Sequence, residues 1–418
     1  MNLKIRLTIM NFLEFAVWGA YLTSMGTFLV KAGYGSYIGF FYSIQGIVSL
    51  FMPGIMGIIA DRWIQAQRLL SLCHLLAAAF MIAAGVYGMT DGFTIAVLFP
   101  LYALSVAFYM PTLALSNSVA FNALTQAGMD TVKDFPPIRV FGTVGFIITM
   151  WAVDFLGFQP TSQQFLLSGC LSVVLAAYSL TLPQVPVRSD STASGEKPTL
   201  VQALGLDAFR LFKRYDMAIF FIFSMLLGVS LQITNGFANP YITSFQNIPE
   251  YAGTFGAQHA NILISISQIS EAFCILLIPL FLKRFGIKRV MMIAMIAWVL
   301  RFGLFGLGNP GSGVWMFIIS CVVYGVAFDF FNVSGALFVD SNTDAGIRSS
   351  AQGLFMIMTN GLGATIGTLT AQAIINHYVY ALPENVQLPG WRTSWMIFAV
   401  YAFVVFILFT IFFRPKKS

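Results

Sequence analysis

The sequence predicts an all-α integral membrane protein with twelve transmembrane helices in two six-helix bundles. Hydrophobic residues make up 58% of the 418 residues and charged residues only 9%, and the mean hydropathy is +0.81. Soluble chains are about 45–50% apolar and about 25% charged, so this composition excludes a soluble globular protein. A membrane-spanning helix needs ~20 apolar residues, and apolar stretches of that order recur along the whole chain.

Twelve apolar stretches and one long polar connection define the expected organisation. The stretches cover approximately residues 7–30, 36–60, 69–90, 93–124, 137–158, 163–183, 216–243, 259–282, 289–308, 314–339, 349–376 and 393–413. The polar connection follows the sixth stretch, and two six-span halves are typical of a repeated transporter. We therefore expect an amino-terminal six-helix bundle at 1–183, a cytoplasmic linker at 184–215 and a carboxy-terminal six-helix bundle at 216–418.

The basic residues predict the orientation of the chain. Apart from two arginines inside apolar stretches, nearly all of the 22 lysines and arginines lie on the side of the amino terminus. The opposite loops contain only Lys31 and Arg392. Because basic residues concentrate on the cytoplasmic side, we expect a multi-pass protein of the cytoplasmic (inner) membrane with both termini in the cytoplasm. The first apolar stretch is too long for a signal peptide, so we interpret it as a retained span.

Five ionisable side chains lie inside the apolar stretches. They are Glu14, Arg139, Glu271, Arg301 and Asp329. A charge at the centre of a bilayer costs roughly 3 kcal/mol on insertion scales, so embedded charges usually line a pathway for a polar solute. Burial favours the neutral form of a carboxylic acid, which is what proton coupling requires. We expect proton coupling at Glu271, Asp329 and Glu14. For Arg301 three roles stay open: a functional residue, a structural counter-ion, or a side chain that snorkels to the membrane surface.

Further polar and aromatic residues share helix faces with these charges, because positions three, four and seven apart lie together on a helix. Amides and carboxylates bind hydroxyl groups and aromatic rings stack on flat rings, so these faces indicate a ligand that contains both. The alternative role for the amides is to hold helices together, at roughly 0.6–2 kcal/mol per contact. The faces combine Arg139 with Thr143 and Phe146, Gln232 with Asn235, Gln268 with Glu271, and Tyr324 with Phe328 and Asp329.

Several motifs resemble known transporters. Gly57-x-x-x-Asp61-Arg62 is similar to the loop signature that follows the second helix of the major facilitator superfamily. Further segments resemble the nucleoside:proton symporters of that superfamily, and the likeness runs from the first span to the last. Among these segments are 134–146 (DFPPIRVFGTVGF), 231–235 (LQITN), 265–271 (SISQISE) and 324–332 (YGVAFDFFN).

The resemblance implies a major facilitator fold that carries nucleosides inward with protons, by alternating access around a midplane site. It implies a gating role for Asp61 and Arg62. Glu14 stands where family members carry Gln or Glu, which leaves proton coupling by the first helix open. The implied substrate site consists of Arg139, Thr143, Phe146, Gln232, Asn235, Gln268, Glu271, Tyr324, Phe328 and Asp329.

The expected partners are a nucleoside and the lipid bilayer, without nucleic acid, and the expected oligomeric state is a monomer. No catalytic triad, phosphate loop or metal cluster is evident, so we expect no enzyme activity and no cofactor besides the proton as coupling ion. The scattered His74, His259 and His377 are expected to be structural. Two alternatives stay open: a sugar or nucleobase symporter of the same fold, and, less favoured, a polytopic membrane enzyme, which would need larger acidic loops.

Overall fold

The computed structural model describes residues 2–184, 206–343 and 347–414. Helices dominate all three ranges, and no strand occurs within them. The all-α prediction is therefore confirmed for the described part of the chain. Most of the predicted linker at 184–215 lies outside the described residues; its last part forms a short 3₁₀ helix, Leu206–Lys213.

The helices of the first part of the chain follow its apolar stretches. The side chain of Asn2 accepts a hydrogen bond from the backbone amide of Lys4 at 3.1 Å, which caps the first helix. A proline in the first turn opens the fourth helix, where no backbone donor is needed. The helices are α1 Leu3–Gly19, α2 Met25–Lys31, α3 Ile38–Ser49, α4 Met52–Arg62, α5 Ala66–Tyr87, α6 Ile95–Tyr109, α7 Thr112–Gln126, α8 Thr131–Phe155 and α9 Gln163–Ser179.

The second part contains the longest helices together with some short ones. A π-helical segment, Ile357–Gly363, joins two of them, and a second, Asn376–Tyr380, extends the latter. The helices are α10 Tyr215–Ser244, α11 Phe255–Gln258, α12 Ala260–Leu307, α13 Val314–Asn342, α14 Arg348–Met356, α15 Ala364–Ile375 and α16 Leu388–Phe412.

Eight helical segments of the described residues are long and apolar enough to cross a membrane. One of them, α12, has 48 residues and changes direction at Gly286, whose φ of +74° is accessible mainly to glycine. Its two arms correspond to the predicted stretches 259–282 and 289–308. The other predicted stretches also contain helix, including the 17-residue α1 and α9. The exact count of twelve spans stays a prediction.

Helix α8 begins earlier than the sequence indicates. Proline is favoured in the first turn of a helix, so Pro136 and Pro137 predict a helix start at that point. The helix instead begins at Thr131, and both prolines lie inside it. Hydrogen bonds between Asp130 and Asp134 form the additional turn: the backbone amide of Asp134 donates to the Asp130 carbonyl at 2.8 Å, and the Asp134 carboxylate accepts from the Asp130 amide at 3.1 Å. The expectation of a proline-initiated helix was therefore wrong.

The chain forms two compact units. The first unit consists of the described residues of Met1–Lys31 and Ile47–Leu204, and the second of those of Ala32–Gly46 and Gly205–Ser418. Within the second unit, the side chain of Gln372 binds the backbone of two glycines: its oxygen accepts from the Gly39 amide at 2.5 Å and its nitrogen donates to the Gly35 carbonyl at 3.1 Å.

Glycines allow the helices that carry the predicted site residues to touch. In the first unit, a Cβ atom on Gly145 of α8 would lie 2.2 Å from the carbonyl oxygen of Phe12 in α1. In the second unit, a Cβ atom on Gly325 of α13 would lie 2.7 Å from the Ser270 carbonyl in α12. Membrane helices pack closely through such small residues, so α8 is fixed against α1 and α13 against α12.

Candidate transport site

A buried acid lies at the centre of the first unit. The side chains of Glu14 in α1 and His74 in α5 are both 0% exposed, and Glu14 Oε2 lies 2.9 Å from His74 Nε2. The other carboxylate oxygen, Oε1, accepts a hydrogen bond from the Thr112 hydroxyl at 2.6 Å. The Tyr109 hydroxyl donates to the Glu14 backbone carbonyl at 2.8 Å. Glu14 is thus held by α5, α6 and α7.

The predicted α8 residues lie beside α1. Arg139 is half-buried, and its guanidinium carbon lies 3.9 Å from the ring centroid of Phe15, a cation–π contact. Phe146 is buried and meets Trp18 edge to face, with 6.3 Å between the ring centroids. Thr143 is half-buried, one turn after Arg139. These contacts place a cation, a hydroxyl and aromatic rings on the α1–α8 side of the unit.

The predicted gating residues lie at the end of a helix. Asp61 and Arg62 are the last two residues of α4. Their side chains lie outside what the structure describes, so their gating role stays a prediction.

The amides of α10 form a polar ladder in the second unit. Asn235 Nδ2 donates to Gln232 Oε1 at 2.8 Å, and both side chains are half-buried. One turn further, Asn239 Nδ2 donates to Asn261 Oδ1 of α12 at 2.7 Å. Asn239 and Asn261 are fully buried and hold the two helices together. Gln232 and Asn235 are the more accessible pair, which suits them to a ligand.

The acids and amide of α12 and α13 include polar atoms without partners. Asp329 is 4% exposed and Gln268 is 9% exposed. Asp329 Oδ2 and Gln268 Oε1 have no hydrogen-bond partner within the described part of the chain. Glu271 is half-buried and close enough to Asp329 for their charges to interact. Because buried polar atoms are normally satisfied, this cluster has the character of a site for a proton or a ligand.

Aromatic rings stand beside these acids. Tyr324 and Phe328 stack with 5.6 Å between centroids and an interplanar angle of 15°. Trp298 of α12 meets Tyr324 edge to face at 5.9 Å. A water-sized cavity of about 10 Å³ lies against Trp298, Phe328 and Asn332. The stacked rings therefore offer flat faces close to Asp329 and Asn332.

Arg301 lies behind this aromatic face. It is 2% exposed, so it does not snorkel to a membrane surface. Its Nη1 donates to the Ser320 carbonyl at 2.9 Å and to Ser267 Oγ at 3.3 Å, and its guanidinium carbon lies 4.4 Å from the Tyr324 ring centroid. The charges of Arg301, Glu271 and Asp329 all act on the Tyr324 hydroxyl. Arg301 is therefore enclosed between α12 and α13 beside Tyr324, and the snorkelling alternative was wrong.

Two neighbours of the predicted residues escaped sequence reasoning. His74 was expected to be structural, but it contacts Glu14 through Nε2. Trp298 packs on Tyr324, although nothing on its own helix face marked it. The available signal for His74 was a histidine inside an apolar span of the same unit as an embedded glutamate. That signal identifies the residue but not its partner, because the two helices are separated by intervening chain.

Comparisons with known proteins bear on the whole chain. The model of the nucleoside H⁺ symporter family matches residues 1–418. The chain belongs to this family. Relatives include the xanthosine permease of Escherichia coli, 45% identical over 98% of this chain and 95% of the relative, and the nucleoside permease NupG of Escherichia coli, 45% identical over 100% and 97%.

Among solved structures, the crystal structure of the nucleoside transporter NupG superposes with a TM-score of 0.90 at 43% identity, covering 100% of both chains. This match confirms the predicted major facilitator type of fold, and family membership identifies the chain as a multi-pass membrane transporter of a proton symporter family.

Proposed function

We propose that the protein carries nucleosides into the cell together with protons, by alternating access across the cytoplasmic membrane. The observation that carries this proposal is the cluster of Gln268, Glu271, Tyr324, Phe328 and Asp329 on α12 and α13, in a chain whose full length matches a nucleoside H⁺ symporter family. Unsatisfied amide and carboxylate oxygens beside stacked rings are complementary to a hydroxylated sugar joined to a flat base.

In this proposal the two parts of the nucleoside meet different residues. The half-buried amides Gln232 and Asn235, with Gln268, bind the ribose hydroxyls. Phe328 and Tyr324 stack on the base. In the first unit, Arg139, Thr143 and Phe146 complete the set of substrate-binding residues. The two relatives with 45% identity are named for xanthosine and for nucleosides in general, so the proposal covers nucleosides as a class.

Binding and release of protons at Glu271 and Asp329 couple the proton gradient to nucleoside transport, and Glu14 is the third coupling acid. A carboxylate removed from water is costly unless it is paired, so neighbouring buried acids are suited to bind and release a proton. When the acids are deprotonated, Arg301 behind Tyr324 stabilises their charge.

The remaining assignments complete the proposal. Asp61 and Arg62 act in gating, the chain works as a monomer in the lipid bilayer with both termini in the cytoplasm, and the inner membrane is its location. The proton is the only coupling ion, and no further cofactor is needed. The protein does not bind nucleic acid and does not catalyse an enzymatic reaction.

The test is uptake of radiolabelled uridine and xanthosine by transport-deficient cells that express the chain, with and without a proton uncoupler. We expect concentrative uptake that the uncoupler removes. Asp91→Asn, which alters an exposed loop acid, is the control for loss of one charge. Competition by uracil as strong as that by uridine would identify a nucleobase carrier, and accumulation of a free sugar in place of nucleosides would identify a sugar symporter.

A further inference from the structure

The contact between Glu14 and His74 requires a proton. Glu14 Oε2 and His74 Nε2 are 2.9 Å apart, and neither side chain is exposed. A carboxylate oxygen and an unprotonated ring nitrogen are both acceptors, so one hydrogen must lie between them. Either the imidazole donates it to the carboxylate or the carboxylic acid donates it to the imidazole.

The other side of the imidazole can hold or release a second proton without movement of heavy atoms. Ser172 Oγ of α9 lies 2.9 Å from His74 Nδ1 and 2.9 Å from the His74 backbone carbonyl. A hydroxyl has one hydrogen to donate. If it donates to Nδ1, the ring carries a hydrogen only on Nε2, and the Glu14–His74 pair has a net charge of −1.

If the Ser172 hydroxyl turns to the carbonyl, Nδ1 carries a hydrogen and donates it to Ser172 Oγ. One further hydrogen still lies between Nε2 and Glu14, and the net charge of the pair is 0. The two states differ by one proton and by the rotation of one hydroxyl. Both satisfy every polar atom of the imidazole, so neither incurs the cost of an unpaired buried group.

A second hydroxyl stands at the far oxygen of Glu14. Thr112 Oγ1 lies 2.6 Å from Glu14 Oε1 and 2.5 Å from the Tyr109 carbonyl. It donates to the carboxylate when Glu14 is ionised. It can turn to the carbonyl and accept from Glu14 when Oε1 is protonated. On each side of the Glu14–His74 pair there is thus a hydroxyl group that can form a hydrogen bond in either protonation state.

Charged and titratable groups face the pair from the surrounding elements. Arg139 of α8 is the cation: its charge and that of Glu14 both act on the Tyr109 hydroxyl, which donates to the Glu14 carbonyl. The facing groups are Cys73 of α5, Tyr109 of α6, Arg139 of α8 and Tyr21 after α1.

We propose that Glu14 and His74 form a second proton-binding site, within the first unit, that gains and loses one proton in each transport cycle. This inference rests on the proposed function, because the proton is counted against a transported nucleoside. It adds one coupled proton to those of Glu271 and Asp329, and it assigns Ser172 as the positioning residue that accommodates both protonation states.

The experiment measures the proton:nucleoside ratio in proteoliposomes. The membrane potential is held at zero with valinomycin and equal potassium, and an inward gradient of one pH unit drives uridine to a plateau. Each coupled proton raises the plateau ratio ~tenfold per pH unit. Glu14→Gln keeps the shape of the side chain and removes its titration, so we expect a plateau ~tenfold below that of the parent. Uridine exchange at equal pH should remain.

Three further variants separate a proton site from a structural pair. His74→Gln should give the same loss, and the double variant should lose no more than either single one, because the two residues form one site. Ser172→Ala keeps the carboxylate and imidazole but removes the rotating hydroxyl, so it should also lower the plateau. Asp91→Asn, an exposed acid in the loop after α5, should keep the parent ratio.

A parent-like plateau in Glu14→Gln, or a ~hundredfold loss in the double variant, would overturn the inference. Folding defects are recognised by lost exchange, and Ser172→Ala then decides: a parent-like plateau in that variant makes the pair structural. If the parent protein moves no nucleoside, the proposed function itself fails. If the parent accumulates uridine and all three single variants match it, only the second proton site fails.

Discussion

The two units of the molecule treat their buried acids differently. In the first unit both carboxylate oxygens of Glu14 have partners, His74 on one side and Thr112 on the other. In the second unit, one carboxylate oxygen of Asp329 and the amide oxygen of Gln268 have none among the described residues. A buried atom left without a partner costs about 1–3 kcal/mol. The difference indicates that the second unit is prepared for a ligand, whereas the first holds its acid in a closed network.

The largest expected effect is at the two acids of the second unit, Asp329 and Glu271. Asp329→Asn and Glu271→Gln should each lower the accumulation driven by one pH unit at least ~tenfold in proteoliposomes, because the amides keep the shape and cannot bind a proton. Nucleoside exchange at equal pH should persist in both. Accumulation at the parent level in both variants would remove these acids from the coupling mechanism.

The next largest effect concerns Gln268, whose unsatisfied amide oxygen is expected to bind a hydroxyl group of the substrate. A nucleoside that lacks one ribose hydroxyl leaves a buried group of the protein unpaired, at about 1–3 kcal/mol, or about 5- to 150-fold in affinity. Competition assays with uridine, deoxyuridine and uracil measure this discrimination. Gln268→Ala should reduce it, because the oxygen that goes unpaired is then absent. Equal competition by uridine and deoxyuridine would show that the amides do not form hydrogen bonds with the ribose hydroxyl that deoxyuridine lacks.

Arg139 tests the contribution of the first unit to the site. Arg139→Lys keeps the charge but loses the planar group that lies 3.9 Å from the Phe15 ring. Initial uptake at matched expression should fall about tenfold, the equivalent of ~1.4 kcal/mol. Full activity would reduce Arg139 to an anchor at the membrane interface. Lys31→Arg, an exposed residue at the end of α2, serves as the matched control.

The smallest expected effect is within the closed network. Tyr109→Phe removes the hydroxyl that donates to the Glu14 carbonyl at 2.8 Å. One hydrogen bond contributes about 1 kcal/mol net, so thermal unfolding in detergent should shift modestly downward while uridine uptake persists. Tyr37→Phe, on an exposed ring, should leave the unfolding temperature unchanged. A loss of uptake in Tyr109→Phe would mean that the first network is as sensitive as the second.

Much of the fold could be predicted because it depends on local composition. Apolar stretches of the length of a bilayer are readable one at a time, and the embedded acids and arginines were visible as exceptions within them. The start of α8 was misjudged because a short-range network between Asp130 and Asp134 added a turn before the prolines. Such side-chain hydrogen bonds compete with the general preference of proline for a first turn.

Pairings between distant helices were harder to predict. The partner of Glu14 lies 60 residues away in the chain, and helical periodicity relates only neighbours within a few turns. The same limit applies to Arg301, whose burial against Tyr324 depends on the packing of α12 against α13. The sequence identifies embedded polar residues, whereas the helix crossings that glycines such as Gly145 and Gly325 permit decide which of them meet.

The bend at Gly286 divides the residues of α12 between two arms. The arm before the bend carries Gln268 and Glu271, and the arm after it carries Arg301. No loop separates the two arms, so the whole change of direction between them falls on the backbone of Gly286. Because that residue holds a φ of +74°, a side chain in its place would strain the backbone at the one point that sets the angle between the Gln268–Glu271 arm and the Arg301 arm.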